Sequence, residues 1–279
     1  MSIYYALCDA LPFEMLHWDF MKNAFLAILI IAPLFGLTST MIVTGKMSFF
    51  SDALGHSAFT GIAIGAICGI ASPTWVAVLF SVIFALIFSF VRNRSNHTAD
   101  TLIGVFSSTA VALGIFVATF DGSSFTKYNR YLIGDILSVS NAEIYMLLIT
   151  LASICVLWII ASNRLILCSI NPQLASSRGI SVQTTQTVFT VAIAIIITLS
   201  ISWVGLLILN SLLVLPGAAA RNIAKNLRQY HVYSVTSALI AGVLGLIISY
   251  TLGSSTGAAI SLILAIIFII SFNFRKVRS

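Results

Sequence analysis

The stretch 20-FMKNAFLAILIIAPLFGLTSTMIV-43 decides the fold. It carries a single charge, Lys22, and is long enough for a helix to cross the roughly 30 Å hydrocarbon core of a bilayer, which needs about 20 apolar residues. A helix is the form such a segment must take in lipid, because it satisfies its own backbone hydrogen bonds.

Working outward, comparable runs follow at 49–71, 74–91, 101–120, 142–161, 182–201, 203–220, 232–251 and 257–274, with short polar breaks between them. The expected fold is an all-α polytopic integral membrane protein, a bundle of about eight or nine transmembrane helices, nine by this division. Residues 1–279 read as a single transmembrane domain, with 1–19 a polar-aromatic lead-in. The runs at 182–201 and 203–220 meet at Ser200, Ile201, Ser202 and Trp203 almost without a loop, which leaves room for one of them to be a short re-entrant helix.

Composition agrees. Charged residues make up 8% and apolar residues 59% of the chain, a balance that excludes a soluble domain with a water-facing surface. The formal charge of +6 does not point to nucleic acid, because the basic residues form neither one run nor one face. They report topology instead. With the N-terminus outside, Lys46, Arg92, Arg94, Arg164, Arg178, Arg221, Lys225, Arg228, Arg275, Lys276 and Arg278 fall on the cytoplasmic side. Only Lys22, Lys127 and Arg130 fall outside. This is the positive-inside distribution, and with an odd number of spans it places the C-terminus inside. No basic segment followed by an apolar run and a small-residue cleavage site opens the chain, so no cleaved signal peptide is expected. The four cysteines, Cys8, Cys68, Cys155 and Cys168, lack metal or redox spacing and read as packing residues.

The second run holds the chemistry. It begins 47-MSFFSDALGH-56, so Asp52 and His56 stand four apart and share one face of a helix, a stripe that Thr60 extends. An ionisable residue inside a span costs about 2.5–3.5 kcal/mol on insertion scales and is a functional hypothesis by default. Carboxylate and neutral imidazole together suit borderline divalent ions such as zinc, manganese or iron, and two ligands bind weakly enough for transit. The alternative is structural: Asp52 caps the helix start and His56 hydrogen-bonds a neighbouring helix. Ala53, Ser57, Gly61, Gly65 and Gly69 form an adjacent small-residue stripe against which another helix can pack closely.

Other matches carry little. The 253-GSSTG-257 stretch has the hydrolase nucleophile pattern but lies between two membrane helices. Gly45-Lys46-Met47 lacks the glycine spacing and Ser/Thr of a phosphate loop, so no ATP binding is expected of this chain. Asn93-Arg94-Ser95 and Asn96-His97-Thr98 are glycosylation acceptors in form only, since they fall on the cytoplasmic side. His17, His97 and His231 lie near predicted membrane edges and read as interfacial residues. Two longer polar segments remain as contact surfaces for partners: 162–182 inside, and 121–141 outside with Asp121, Lys127, Arg130 and Asp135.

The stretches 46-KMSFFSDALGHS-57, 100-DTLIG-104, 131-YLIGDILSV-139 and 204-VGLLI-208 through 211-SLLVLPGAAAR-221 together resemble the permease subunits of bacterial ABC importers for zinc, manganese and iron, nearly end to end. Alanine is usual in that family at the position of Gly217. Asn171, Pro172, Gln173, Leu174 and Ala175, followed by Gly179, resemble the family's coupling segment for the ATPase subunit, where acidic residues are commoner at 171 and 173.

The resemblance implies that Asp52 and His56 contact the metal on its translocation path. It implies a second copy of the chain, a cytoplasmic ATP-binding subunit and an extracytoplasmic metal-binding protein as partners, all in the bacterial cytoplasmic membrane or against it. No permanently bound cofactor is implied, only a transported divalent metal. The chain itself is expected not to be an enzyme. The 134-GDILSV-139 and Val204-Gly205 regions look closest to zinc-type members, with manganese and iron as alternatives. Two rivals stand outside the family: an intramembrane hydrolase, for which no HExxH is present, and a secondary transporter driven by an ion gradient.

Overall fold

The computed structural model describes residues 4–5, 14–70, 72–119 and 136–276. Most of the 121–141 segment, including Asp121, Lys127, Arg130 and Asp135, lies outside the described residues, as does Cys8. The long helices are α1 (Asp19–Thr44), α2 (Phe50–Ile67), α3 (Pro73–Arg94), α4 (Ala99–Thr119), α5 (Asn141–Ile170), α7 (Val182–Val204), α8 (Leu206–Ile223), α9 (Leu227–Leu252) and α10 (Thr256–Lys276). The short α6 (Pro172–Ser177) follows α5, and two 3₁₀ turns lie at Glu14–His17 and Ile136–Ser138. Among the described residues there is no strand, as the apolar runs require.

Eight of these helices, all the long ones except α2, are long and apolar enough to cross a membrane. α2 falls short because Asp52, His56 and its serines and glycines dilute it. It compensates by burial in protein: thirteen of its 18 residues are buried, and it packs against α3, α4 and α7. A polar helix in a membrane bundle belongs inside, where protein groups replace the missing water.

Two compact units make up the fold: Met1–Thr40, Asp135–Cys155 and Ser211–Ser279 form one, and Met41–Gly134 with Val156–Asn210 form the other. Small residues hold the first together. A Cβ at Gly36 would lie 2.9 Å from the Cα of Val235, and the Ser234 hydroxyl donates to the Gly36 carbonyl at 2.5 Å. Gly217 is equally tight, since a methyl there would meet Ser39 Oγ at 2.6 Å and the Ser39 carbonyl oxygen at 2.7 Å. The Gly217 N–H donates to Ser39 Oγ at 2.9 Å. Glycine at 217 therefore lets α1 and α8 close on each other.

In the second unit the stripe on α2 does what its spacing predicts as far as Gly65, whereas Gly69 lies past the end of the helix at φ 67° and packs against nothing described. Ser57 Oγ lies 3.1 Å from Ser81 Oγ of α3, Gly61 faces Ala77, and Gly65 faces Pro73 and Val76. On another side Thr60 Oγ1 reaches the Ala110 carbonyl of α4 at 2.8 Å, and Phe59, Ile62 and Ala63 form a buried cluster with Ala77 and Ala118. Thr60 thus serves helix packing. Of the described cysteines, Cys168 is buried, whereas Cys68 and Cys155 lie at the surface of the described chain and not in its core.

The 162–182 segment is less of a loop than its polarity suggests. α5 runs on to Ile170, because Leu165 and Cys168 continue its buried face past Arg164. Residues 171–179, which the sequence resemblance marks for coupling, are consequently the compact α6 followed by a turn at Gly179 with φ 74°.

Candidate metal-transit site

α2 starts after Phe49, and Asp52 lies in its first turn, where the helix dipole favours a carboxylate. One turn on, His56 Nε2 lies 3.5 Å from Asp52 Oδ2. The i, i+4 spacing places them side by side, as the sequence implies. From α8, Asn210 Nδ2 donates to Asp52 Oδ1 at 3.0 Å. An ionised carboxylate can only accept, so this contact fixes the amide with its nitrogen toward Asp52. The opposite end, Asn210 Oδ1, is buried without a hydrogen-bond partner among the described residues. Leaving such an acceptor unpaired costs about 1–3 kcal/mol.

This geometry excludes the capping half of the structural alternative. Asp52 bonds His56 and Asn210 and none of the first-turn N–H groups, so it does not cap α2. Both side chains keep access to their surroundings, with 45% of Asp52 and 28% of His56 exposed. By contrast His231 is engaged: its Nδ1 lies 2.9 Å from Thr40 Oγ1, and its ring stacks on Tyr230.

α8 reaches α2 through two features of the backbone. A single residue, Gly205, separates α7 from α8, at φ 84° and ψ 156°, a conformation essentially reserved for glycine. Its N–H continues α7 to the Ile201 carbonyl at 3.0 Å, and its carbonyl accepts from Leu209 at 3.2 Å to begin α8. Leu206 then lies where a side chain at Gly55 would be, one turn before Asn210. Gly55 admits Leu206, and the approach brings Asn210 to Asp52.

The sequence-level reading missed Asn210, although one signal was available: an asparagine within the apolar run 206-LLILNSLLVL-215 is itself a polar residue in a span. Among the described residues no group of three or more His, Cys, Asp or Glu could hold a metal. The arrangement offers instead a carboxylate and an imidazole, an oxygen and nitrogen pair suited to borderline divalent ions, with the Asn210 amide nitrogen holding the carboxylate.

The residues expected from the sequence to couple to an ATPase form a separate structure. Asn171 caps α6, its side chain accepting from the Leu174 N–H at 3.0 Å, with Pro172 at the first helical position. Ala175 is buried and its carbonyl accepts from Arg178 and Ile180 N–H groups, while Gln173 and Leu174 face outward.

The chain belongs to the ABC 3 transport family, whose model matches residues 17–275. Its relatives include the high-affinity zinc uptake system membrane protein ZnuB of Haemophilus influenzae, 26% identical over 89% of this chain and 93% of the relative. The manganese import system permease protein ScaB of Streptococcus parasanguinis is 28% identical over 92% of this chain and 91% of its own. A probable iron transport system membrane protein of Haemophilus influenzae is 27% identical over 95% and 97%. Among solved structures, PsaBC from Streptococcus pneumoniae in complex with Fab superposes with a TM-score of 0.81 at 26% identity, covering both chains completely.

Proposed function

We propose that this chain is the permease subunit of an ABC importer that carries a divalent transition metal, zinc, across the bacterial cytoplasmic membrane. It works as a homodimer, with the N-terminus outside and the C-terminus inside. An extracytoplasmic metal-binding protein delivers the ion, and a separate cytoplasmic subunit binds and hydrolyses ATP. The observation that carries the reading is the pairing of Asp52 with His56 on a polar, protein-buried helix, with Asn210 holding the carboxylate in place. The ion takes the Asp52 carboxylate and the His56 imidazole as it passes and leaves readily, because so few ligands hold it. ATP-driven movement of α6 opens the path alternately to the two sides.

Manganese is the second reading, supported by the manganese permeases among the relatives and by the oxygen donors of the Asp52 carboxylate. Uptake of zinc, manganese and iron by vesicles holding this chain with its ATP-binding and metal-binding partners tests the proposal. ATP-dependent uptake of zinc alone is expected. A preference for manganese or iron changes the metal, and uptake indifferent to ATP favours a gradient-driven transporter.

A further inference from the structure

A pocket of about 250 Å³ lies at the end of the second unit that carries α6, walled by the α1–α2 turn, the end of α3, the end of α5 and the first turns of α7. Lys46 and Arg92 both line it, together with Thr44, Ser169, Pro172 and Gln186. Two cations therefore share one small cavity. Among the described residues neither has an acidic partner, the ion pairs there being Lys22–Asp19 and His56–Asp52. The guanidinium of Arg92, with five donors, makes one hydrogen bond among the described residues, from Nη1 to the thioether of Met47 at 3.4 Å, and a thioether is a weak acceptor. Lys46 sits at φ 54°, a left-handed position that a lysine adopts at a cost of about 1 kcal/mol or more. Residues 162–182 add Arg164 and Arg178 and no acid.

Resting on the permease reading above, we infer that this pocket receives a carboxylate side chain of the ATP-binding subunit. Charge complementarity asks for an anion, and position selects its source. Pro172 belongs at once to the pocket wall and to α6, so a protein seated on the outward Gln173 and Leu174 borders the cavity. The short α6 supplies the apolar and shape contacts, and Lys46 with Arg92 supplies an electrostatic clamp beside it, of the kind that fixes register and partner choice. The Arg92 fork is suited to grip a carboxylate with two parallel bonds.

The complex of this chain with its ATP-binding subunit provides the test. A zero-length carbodiimide, which joins amines to carboxylates, is expected to link Lys46 to an Asp or Glu of that subunit, read by peptide mass spectrometry. Retention of the subunit on the tagged permease is then compared among variants. Lys46→Gly removes the charge while suiting the left-handed backbone, and combined with Arg92→Gln it is expected to lower retention about tenfold at physiological salt. Arg92→Lys should keep much of it. Arg94→Gln should change nothing, because Arg94 lines no part of the pocket and rests over the Phe90 ring at 4.4 Å.

Full retention by the double variant, with Lys46 unlinked in the wild type, overturns the inference. So does loss of a co-purified anionic phospholipid from the double variant while the ATP-binding subunit stays bound, which makes the pocket a lipid headgroup site. If the wild-type chain retains no ATP-binding subunit at all, the parent reading fails and takes this one with it.

Discussion

Asn210 of α8 donates to Asp52 of α2, a residue 158 positions away in the chain, and its own carbonyl oxygen is buried without a hydrogen-bond partner among the described residues. A carboxylate held from one side and flanked by an imidazole on the other is oriented before any ion arrives.

Asp52→Ala and His56→Ala are each expected to abolish metal uptake while the protein still reaches the membrane in normal amount. Uptake in vesicles, read against the quantity of permease in the same membranes, checks this. Wild-type transport by both variants would return the pair to a structural role.

Asn210→Ala removes the hydrogen bond to Asp52. A bond to a charged group contributes about 1.5–3 kcal/mol, and Asp52 is nearly half exposed, so the lower end applies. The apparent affinity for the transported metal should weaken by about tenfold, with a smaller effect on the maximal rate. Concentration dependence of uptake separates the two, and an unchanged affinity would remove Asn210 from the site.

Gly55→Ala forces Leu206 away from α2. The added methyl meets the end of a leucine side chain, which can turn at a cost of about 1–3 kcal/mol, and α8 shifts with it. Lower thermal stability in detergent and slower uptake are both expected. Leu206→Ala in the same chain should restore a good part of each, whereas a double variant as impaired as Gly55→Ala alone would show that the contact does not set the α2–α8 spacing.

Gly217→Ala should be destabilising as well, by about 1–3 kcal/mol, because the new methyl meets the Ser39 backbone as well as its hydroxyl. Ser39→Ala should not rescue it, since the backbone carbonyl remains. Thermal melts of the single and double variants decide the matter.

Local spacing made half of the site legible. Asp52 and His56 are four residues apart, so their pairing needs only the helix, and the helix is declared by the surrounding apolar run. Asn210 was a different problem: its significance depends on α8 lying against α2, and no periodicity within 206–215 encodes that neighbour. The spans were similarly readable, each being one long apolar segment. The end of α5 was not, because Ser162-Asn163-Arg164 looks like a helix exit to a reader of polarity. Leu165 and Cys168 keep the helix packed beyond it, and a long arginine can stand at a surface without ending a helix.

Gly205 has a mechanical consequence. α6 packs on α7, and α7 passes into α8 through that one residue, whose N–H and carbonyl serve the two helices in turn. If α6 is displaced, no slack loop follows α7 to absorb the movement before the first turns of α8, whose Asn210 amide donates to Asp52.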